Sequence, residues 1–297
     1  MEHKMLKPRI DKGDILKAIE KLPNKQRTST SKPETKPQTE ENPTISAEPT
    51  EINDPENYII LRGREHGSYN YTDLAVSITR LQFSPEVETV AKKLNKVLSN
   101  TALTSDGHAY DYIGNINRQE ALKLNLILNG RTLNPRQGID FLLDLREGIE
   151  GNKVIEYANN KKAPKKLLER IYDDILGVRN PWRAEFLDAD FKVIGKDLHI
   201  LYDHELKNGI LVPQRKEKLE DYLDKKGIKV KLKDFNRQGL ATVEQDKGEL
   251  RFWSPDKDNK SVAGFIADSD RASLYCNRYP DDAFAWLGVR RAKNFSH

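Results

Sequence analysis

Four residues able to ligate a metal or carry a proton, Asp190, His199, Asp203 and His204, fall within fifteen positions of the chain. On a helix His199 and Asp203 would share a face, but the flanking pattern is that of strands, where four residues span about 13 Å. The four therefore do not converge locally and read as solvated hairpin residues, with no metal site among them. His66 and His108 sit in polar, loop-like stretches and either has the chemistry of a general base, but neither has a nucleophile beside it in sequence. Cys276 is the only cysteine. It lies on the apolar parity of a strand-like segment, where a buried, inert thiol is expected. One cysteine excludes disulfide scaffolds, cysteine-rich zinc sites and two-thiol redox chemistry. No Gly-x-Gly-x-x-Gly or Gly-Lys-Ser/Thr motif is present, so phosphate-loop and dinucleotide chemistry has no fingerprint here. These residues lead us to expect no catalytic residue, no metal and no cofactor. The competing expectation is a hydrolase or nuclease using His66 or His108 with carboxylates.

A different pattern occupies 262–289. Gly264, Ile266, Asp268 and Asp270, then Ser273, Tyr275, Asn277 and Tyr279, share no chemistry, while Phe265, Ala267, Ala272, Leu274 and Cys276 between them are small or apolar. A period of two puts alternate side chains on opposite faces of a strand. One face is then core, and the other obeys no packing rule, which marks a surface kept for contact with another molecule. After Pro280 the period weakens into a loop that carries Phe284 and Trp286.

The elements that must position this stretch follow from periodicity. Residues 11–22 place Ile15, Leu16, Ile19 and Leu22 on one helical face, and 23–55 is rich in Lys, Thr, Ser, Pro and Glu and too poor in apolar residues to fold. A short helix on a disordered tether, residues 1–56, is expected to dock to a larger assembly. The folded part, 57–297, opens on the β-prone run Tyr58, Ile59, Ile60 and Leu61. Helices are then expected over 73–81, from Ser84 and Pro85, from Asn117 with Glu120 as a capping box, from Asn134 and Pro135 to Gly148, and over 163–177. Asn180, Pro181, Trp182 and Arg183 read as an anchored turn, with Arg183 paired to a carboxylate such as Asp188 or Asp190. Beyond it come short alternating runs and an Asn208-Gly209 hairpin signal. A mainly helical 57–178 followed by a β-rich 179–297 makes the fold α+β.

The 297 residues carry 50 basic and 46 acidic side chains, a net charge of +4, which supplies no global attraction to nucleic acid. No run approaches the roughly 20 apolar residues of a membrane span, and the start lacks the apolar core of a signal peptide. We expect neither nucleic-acid binding nor membrane insertion.

The ending Leu287, Gly288, Val289, Arg290, Arg291, Ala292 and Lys293 resembles that of C-type-lectin-fold proteins of the formylglycine-generating-enzyme type. Together with 261–276, 179–183 and 235–239, it resembles the variable proteins of diversity-generating retroelements, in particular those of archaea and archaeal viruses, over about 57–297. The resemblance implies a C-type-lectin-type fold with a variable region at about 262–287, rewritten by adenine-specific mutagenic reverse transcription. Randomising the first two bases of an Asn codon, with a pyrimidine kept third, can give Gly, Ile, Asp, Ser, Tyr, Asn or Phe, the residues at the positions that share no chemistry, with Phe284 added. Trp286 falls outside that set because its codon ends in a purine, and Asp282 and Ala283 are assigned to neither class. One cysteine excludes the two-cysteine oxidase chemistry of formylglycine-generating enzymes, and the calcium-site motifs of sugar-binding lectins are absent.

The implied function is a non-enzymatic binding protein whose hypervariable surface recognises a macromolecule, a protein on a host or neighbouring cell, from a virion or cell surface. The expected contact residues are Gly264, Ile266, Asp268, Asp270, Ser273, Tyr275, Asn277, Tyr279, Phe284 and Trp286, forming one exposed patch. A structural virion component is a further alternative, in which the aromatic residues would lie inside an oligomer interface.

Overall fold

A computed structural model describes residues 51–94, 99–103 and 109–296. The helix expected over 11–22, most of the tether and His108 lie outside the described residues. The chain opens with strands β1 (Tyr58–Leu61), β2 (Arg64–His66), β3 (Tyr69–Tyr71) and β4 (Leu74–Arg80), then helix α1 (Pro85–Lys93), β5 (Ser99–Leu103) and β6 (Ala109–Gly114). Helices α2 (Arg118–Ile127), α3 (Pro135–Glu150) and α4 (Lys165–Leu176) follow in succession. The remainder is strand: β7 (Arg183–Ile194), β8 (Asp197–Lys207), β9 (Ile210–Lys218), β10 (Lys226–Val230), β11 (Leu250–Trp253), β12 (Ser261–Ala267), β13 (Ala272–Arg278) and β14 (Leu287–Asn294). The fold is α+β.

The helices begin where their caps dictate. The Ser84 hydroxyl accepts from the Val87 amide ahead of α1. Asn117 with Glu120, and Asn134 with Gln137, close reciprocal capping boxes that satisfy otherwise orphaned amides of α2 and α3. Helix α3 runs past Gly148 and stops at Gly151, whose φ of 83° is the left-handed conformation that glycine adopts without strain. Residues 73–81 depart from expectation. Leu74, Ile78 and Leu81 have helical spacing, yet the segment forms β4, antiparallel to β1 with Leu61 opposite Leu74. Leu74, Ala75 and Val76 are buried in succession, because pairing with β1 and β14 on both sides satisfies the backbone of a Val- and Ile-containing run better than an isolated turn of helix would. The first half is accordingly mixed, with six strands among its described residues.

Ten strands form one mixed sheet in the order β1, β4, β14, β7, β12, β13, β11, β10, with β8 added to β7 and β9 to β8. Strand β7 is the hub. Its first residues pair in parallel with β14, most of its length from Arg183 to Phe191 pairs antiparallel with β12, and its last six residues carry β8. The β8–β9 turn has Asn208 at φ 52° and Gly209 at φ 77°, the two positive values that an Asn-Gly hairpin turn requires.

Both faces of the central strands are covered. On one parity Leu187, Ala263, Phe265, Leu274 and Cys276 pack with Ile139, Phe141 and Leu142 of α3 and Leu168 and Ile171 of α4. On the other parity Phe186, Val262, Ile266, Leu287 and Val289 pack with Val87 and Val90 of α1, Ile113 of β6, and Ala121 and Leu124 of α2. Gly138 lets α3 lie close to the sheet, since a Cβ there would sit 3.0 Å from the Phe265 ring.

Candidate ligand-binding surface

The period of two in β12 and β13 is real: Gly264 lies opposite Tyr275 and Ile266 opposite Ser273, on the face away from α3 and α4. This face, however, is half roofed. Ile266 (4% exposed) and Ser273 (0%) are interior, Gly264 is buried, and Asp268 is at 7%. Only Asp270, Tyr279 and Phe284 are exposed, with Tyr275, Asn277 and Trp286 half-buried. The patch expected over ten positions is thus carried by six. The reason is tertiary. The cluster built by α1, α2, β6 and β14 covers the middle of the sheet, which a single strand's alternation does not reveal.

Two of the buried four have visible structural tasks. A Cβ on Gly264 would meet the Glu185 carbonyl oxygen at 2.9 Å, so β7 and β12 can approach only over glycine. The Asp268 carboxylate accepts from the Asp270 and Arg271 amides at 3.0 and 2.9 Å, an Asx turn that shapes the β12–β13 connection.

The open part of the face is aromatic. Trp253 of β11 stacks on Tyr275, with ring centroids 4.9 Å apart and planes 9° from parallel. Phe284 stacks on Trp286 at 4.8 Å, and Trp182 meets Trp286 edge-on at 5.5 Å. Arg278 links the two groups: its guanidinium lies 5.5 Å from the Trp286 ring centre and its stem runs 3.7 Å from the Gly264 Cβ position, beside Tyr275. Asp282 holds Arg278 at 2.6 Å. All three tryptophans of the chain thus converge on this surface, and Trp182 and Phe284 are each 43% exposed and Tyr279 57%. The Trp253 indole nitrogen and Asn277 Oδ1 have no hydrogen-bond partner among the described residues. Burial raises the Tyr275 phenol above its ordinary pKa, so it remains a neutral donor at pH 7.

The 280–286 loop is fixed by its backbone. The Asn115 amide donates to the Phe284 carbonyl at 2.8 Å, the Arg118 amide to Pro280 at 3.0 Å, and the Ala184 amide to Trp286 at 2.9 Å. Gly114 permits the contact, because a Cβ there would stand 2.0 Å from the Ala285 oxygen. The turn at 179–183, with a cis Asn180–Pro181 bond, presents Trp182, and the Arg179 amide donates to the Asp268 carbonyl. From the sequence Trp182 belongs only to an anchored turn and Trp253 only to a strand over 250–253, which the structure confirms as β11, and neither is expected at the binding surface. The alternation of β11 hints at Trp253, but its parallel pairing with β13 is long-range.

The other candidates fall elsewhere. His66 Nε2 meets Asp140 Oδ2 at 2.7 Å, but Asp140 also holds Arg64, Arg136 and Tyr71, which makes it the centre of a structural network tying the β2–β3 hairpin to α3. Burial would raise the Asp140 pKa, but Arg136 and the Tyr71 hydroxyl hold it below the usual range. Asp203 and His204 are buried at 6% each, correcting their reading as solvated. Asp188 binds the His204 ring at 2.5 Å, Arg118 bridges Asp188 and Asp190 at 3.1 and 3.2 Å, and Asp203 takes Arg131. The base of this long hairpin lies under α2 and the start of α3, so its charges are paired rather than hydrated. No group of three or more His, Cys, Asp or Glu among the described residues is placed to hold a metal ion. Arg183 pairs with Asp174 of α4, not with Asp188 or Asp190. Cys276 is fully buried, and burial pushes its thiol pKa up. No helix among the described residues is long and apolar enough to cross a membrane.

No protein-family model, curated protein or solved structure matches the chain.

Proposed function

We propose that this chain is a non-enzymatic binding protein, a variable protein of the diversity-generating-retroelement type with a C-type-lectin-type fold, whose aromatic face recognises a macromolecule, a protein on a host or neighbouring cell. The observation that carries the reading is the convergence of Trp182, Trp253, Tyr275, Phe284 and Trp286 on one surface, joined through Arg278, with Tyr279 exposed at the end of β13. Large rigid rings give contact area at low side-chain entropy cost, and Asp270 and Asn277 beside them offer adaptable polar contacts, the composition of an antibody paratope. Exposed aromatic clustering of this kind is a liability unless it serves association. Contact residues are drawn from Asp270, Tyr275, Asn277, Tyr279, Phe284 and Trp286, and the buried Gly264, Ile266, Asp268 and Ser273 support them.

Sequencing the DNA around the gene tests the retroelement reading. The expected result is a near-copy of the segment encoding 262–287, differing almost only at adenines, beside a reverse transcriptase gene; its absence from the complete source genome overturns that reading.

A second reading, a hydrolase or nuclease, draws on the His66–Asp140 contact. It is weaker, because Asp140 is the only hydrogen-bond partner of His66 among the described residues, and the one hydroxyl that joins the pair, that of Tyr71, is a phenol whose pKa burial and Asp140 raise.

A further inference from the structure

Away from the aromatic rings, the turn that presents Trp182 also sends Arg179 and Arg183 into a recess of about 990 Å³ between β4, β6 and α4. Its floor is over-supplied with positive charge. Four guanidinia, of Arg80, Arg179, Arg183 and Arg290, share two carboxylates, Asp174 and Glu185. Arg290 is saturated by Glu185, Asp174 and the Ser77 carbonyl. Arg80 reaches Asp174 Oδ1 at 3.0 Å and Glu185 at 3.6 Å, and Arg183 touches the same Asp174 oxygen. Arg179 Nη1 lies 3.9 Å from that oxygen, while its Nε and Nη2 donate to the Gly177 and Asp173 carbonyls. At the rim Lys166 and Arg170 are offset by Glu169 and Asp173, so that among the described residues the positive side chains of the recess outnumber the negative by two.

Two donors in the recess are unspent. Among the described residues Arg80, 3% exposed, leaves Nη1 without a hydrogen-bond partner, and Tyr112, 2% exposed, leaves its hydroxyl so. The Arg80 guanidinium lies 4.8 Å over the Tyr112 ring and that of Arg183 5.4 Å, which fixes both forks in place. Burial first, and then the neighbouring Arg183, hold the Arg179 pKa below its ordinary value, as expected of a cation short of counter-charge.

We propose that this recess is an anion-binding site for a phosphate or sulfate group, held by Arg179 and Arg80 with the Tyr112 hydroxyl as a further donor. A dianionic tetrahedral oxyanion matches the excess charge, whereas a carboxylate would leave one positive charge uncompensated, and guanidinium forks suit such oxygens geometrically. The recess is larger than the bare ion, leaving room for the rest of an ester.

The test is calorimetric titration of the full chain with inorganic phosphate, sulfate and glucose 6-phosphate, alongside thermal melts in phosphate and in sodium chloride at equal ionic strength. We expect saturable 1:1 binding of the oxyanions, a higher melting temperature in phosphate than in chloride, and at least about tenfold weaker binding in both Tyr112→Phe and Arg179→Gln, as for loss of a charge-assisted hydrogen bond. Tyr112→Phe keeps the ring under the arginines, so folding is preserved. Tighter binding of glucose 6-phosphate than of phosphate identifies an ester ligand, and equal or weaker binding a free ion. Melts that are the same in phosphate and chloride, or affinity unchanged in both variants, overturn the proposal.

Discussion

At the scale of single residues, the proposed contact surface divides by what a substituted atom would strike. Gly264 has the Glu185 carbonyl 2.9 Å from where a Cβ would go. Gly264→Ala is expected to lose about 1–3 kcal/mol, an overpacking cost, read from urea denaturation. Tyr279→Ala, at a side chain 57% exposed, should stay within about 0.5 kcal/mol of the parent in the same assay. Equal losses at the two positions would remove the division into support and contact residues. His204 supplies a pH signature. Burial lowers its pKa, but Asp188, by charge and hydrogen bond, more than reverses this, so the folded value lies above the usual one. Its stabilisation is complete below an unfolded pKa of about 6.5 and is lost as pH rises through the folded value. Melting temperatures from mildly acidic to mildly alkaline buffer should therefore fall with pH in the parent, and the slope should flatten in His204→Gln. A parallel slope in that variant would assign the dependence to other groups.

At the scale of elements, the loop that bears Phe284 and Trp286 is held by backbone hydrogen bonds from Asn115, Arg118 and Ala184. The capping box of Asn117 starts α2 and so sets the Arg118 amide that holds Pro280. Asn117→Ala is expected to cost about 1 kcal/mol, the usual loss of an N-cap, and to loosen the loop bearing Phe284 and Trp286, seen as faster amide hydrogen exchange over 280–286. Exchange unchanged there would mean that Asn115 and Ala184 suffice as anchors. Much of this level is legible in sequence. Ser84, Asn117 and Asn134 announce their helices, and Asn208-Gly209 its hairpin, because caps and turns are local chemistry. Residues 73–81 mislead for the converse reason: helical spacing and strand alternation both fit so short a run, and the partners β1 and β14 that decide between them lie far away in sequence.

For the whole molecule, one carboxylate fastens the sheet to its helices. Asp174 of α4 takes Arg80 of β4, Arg183 of β7 and Arg290 of β14. Burial alone would raise its pKa, but Arg80, Arg290 and Arg183 hold it far below the usual carboxylate range. Its contribution is present above the unfolded pKa of about 3.9 and is lost only as pH falls through the much lower folded value. Asp174→Asn is expected to destabilise by about 3 kcal/mol, as when one partner of a buried ion pair is removed, measured by chemical denaturation at pH 7. A loss under about 1 kcal/mol, the range of exposed pairs, would show that Asp174 is not the carboxylate that holds the cluster together.

The sequence by itself determined the α+β class, the capped helices, the hairpins, the inert Cys276 and the two-faced pattern of β12 and β13. These depend on periods and turns that neighbouring residues impose on one another. Only the tertiary structure decided that Gly264, Ile266, Asp268 and Ser273 are interior, that Asp203 and His204 are paired, and that Trp182 and Trp253 join Tyr275 and Trp286 on one surface. Alternation tells which residues share a face of a strand. What covers that face is set by β6, α1, α2 and β14, brought there by pairings over a hundred residues apart in the chain, as between β4 and β14.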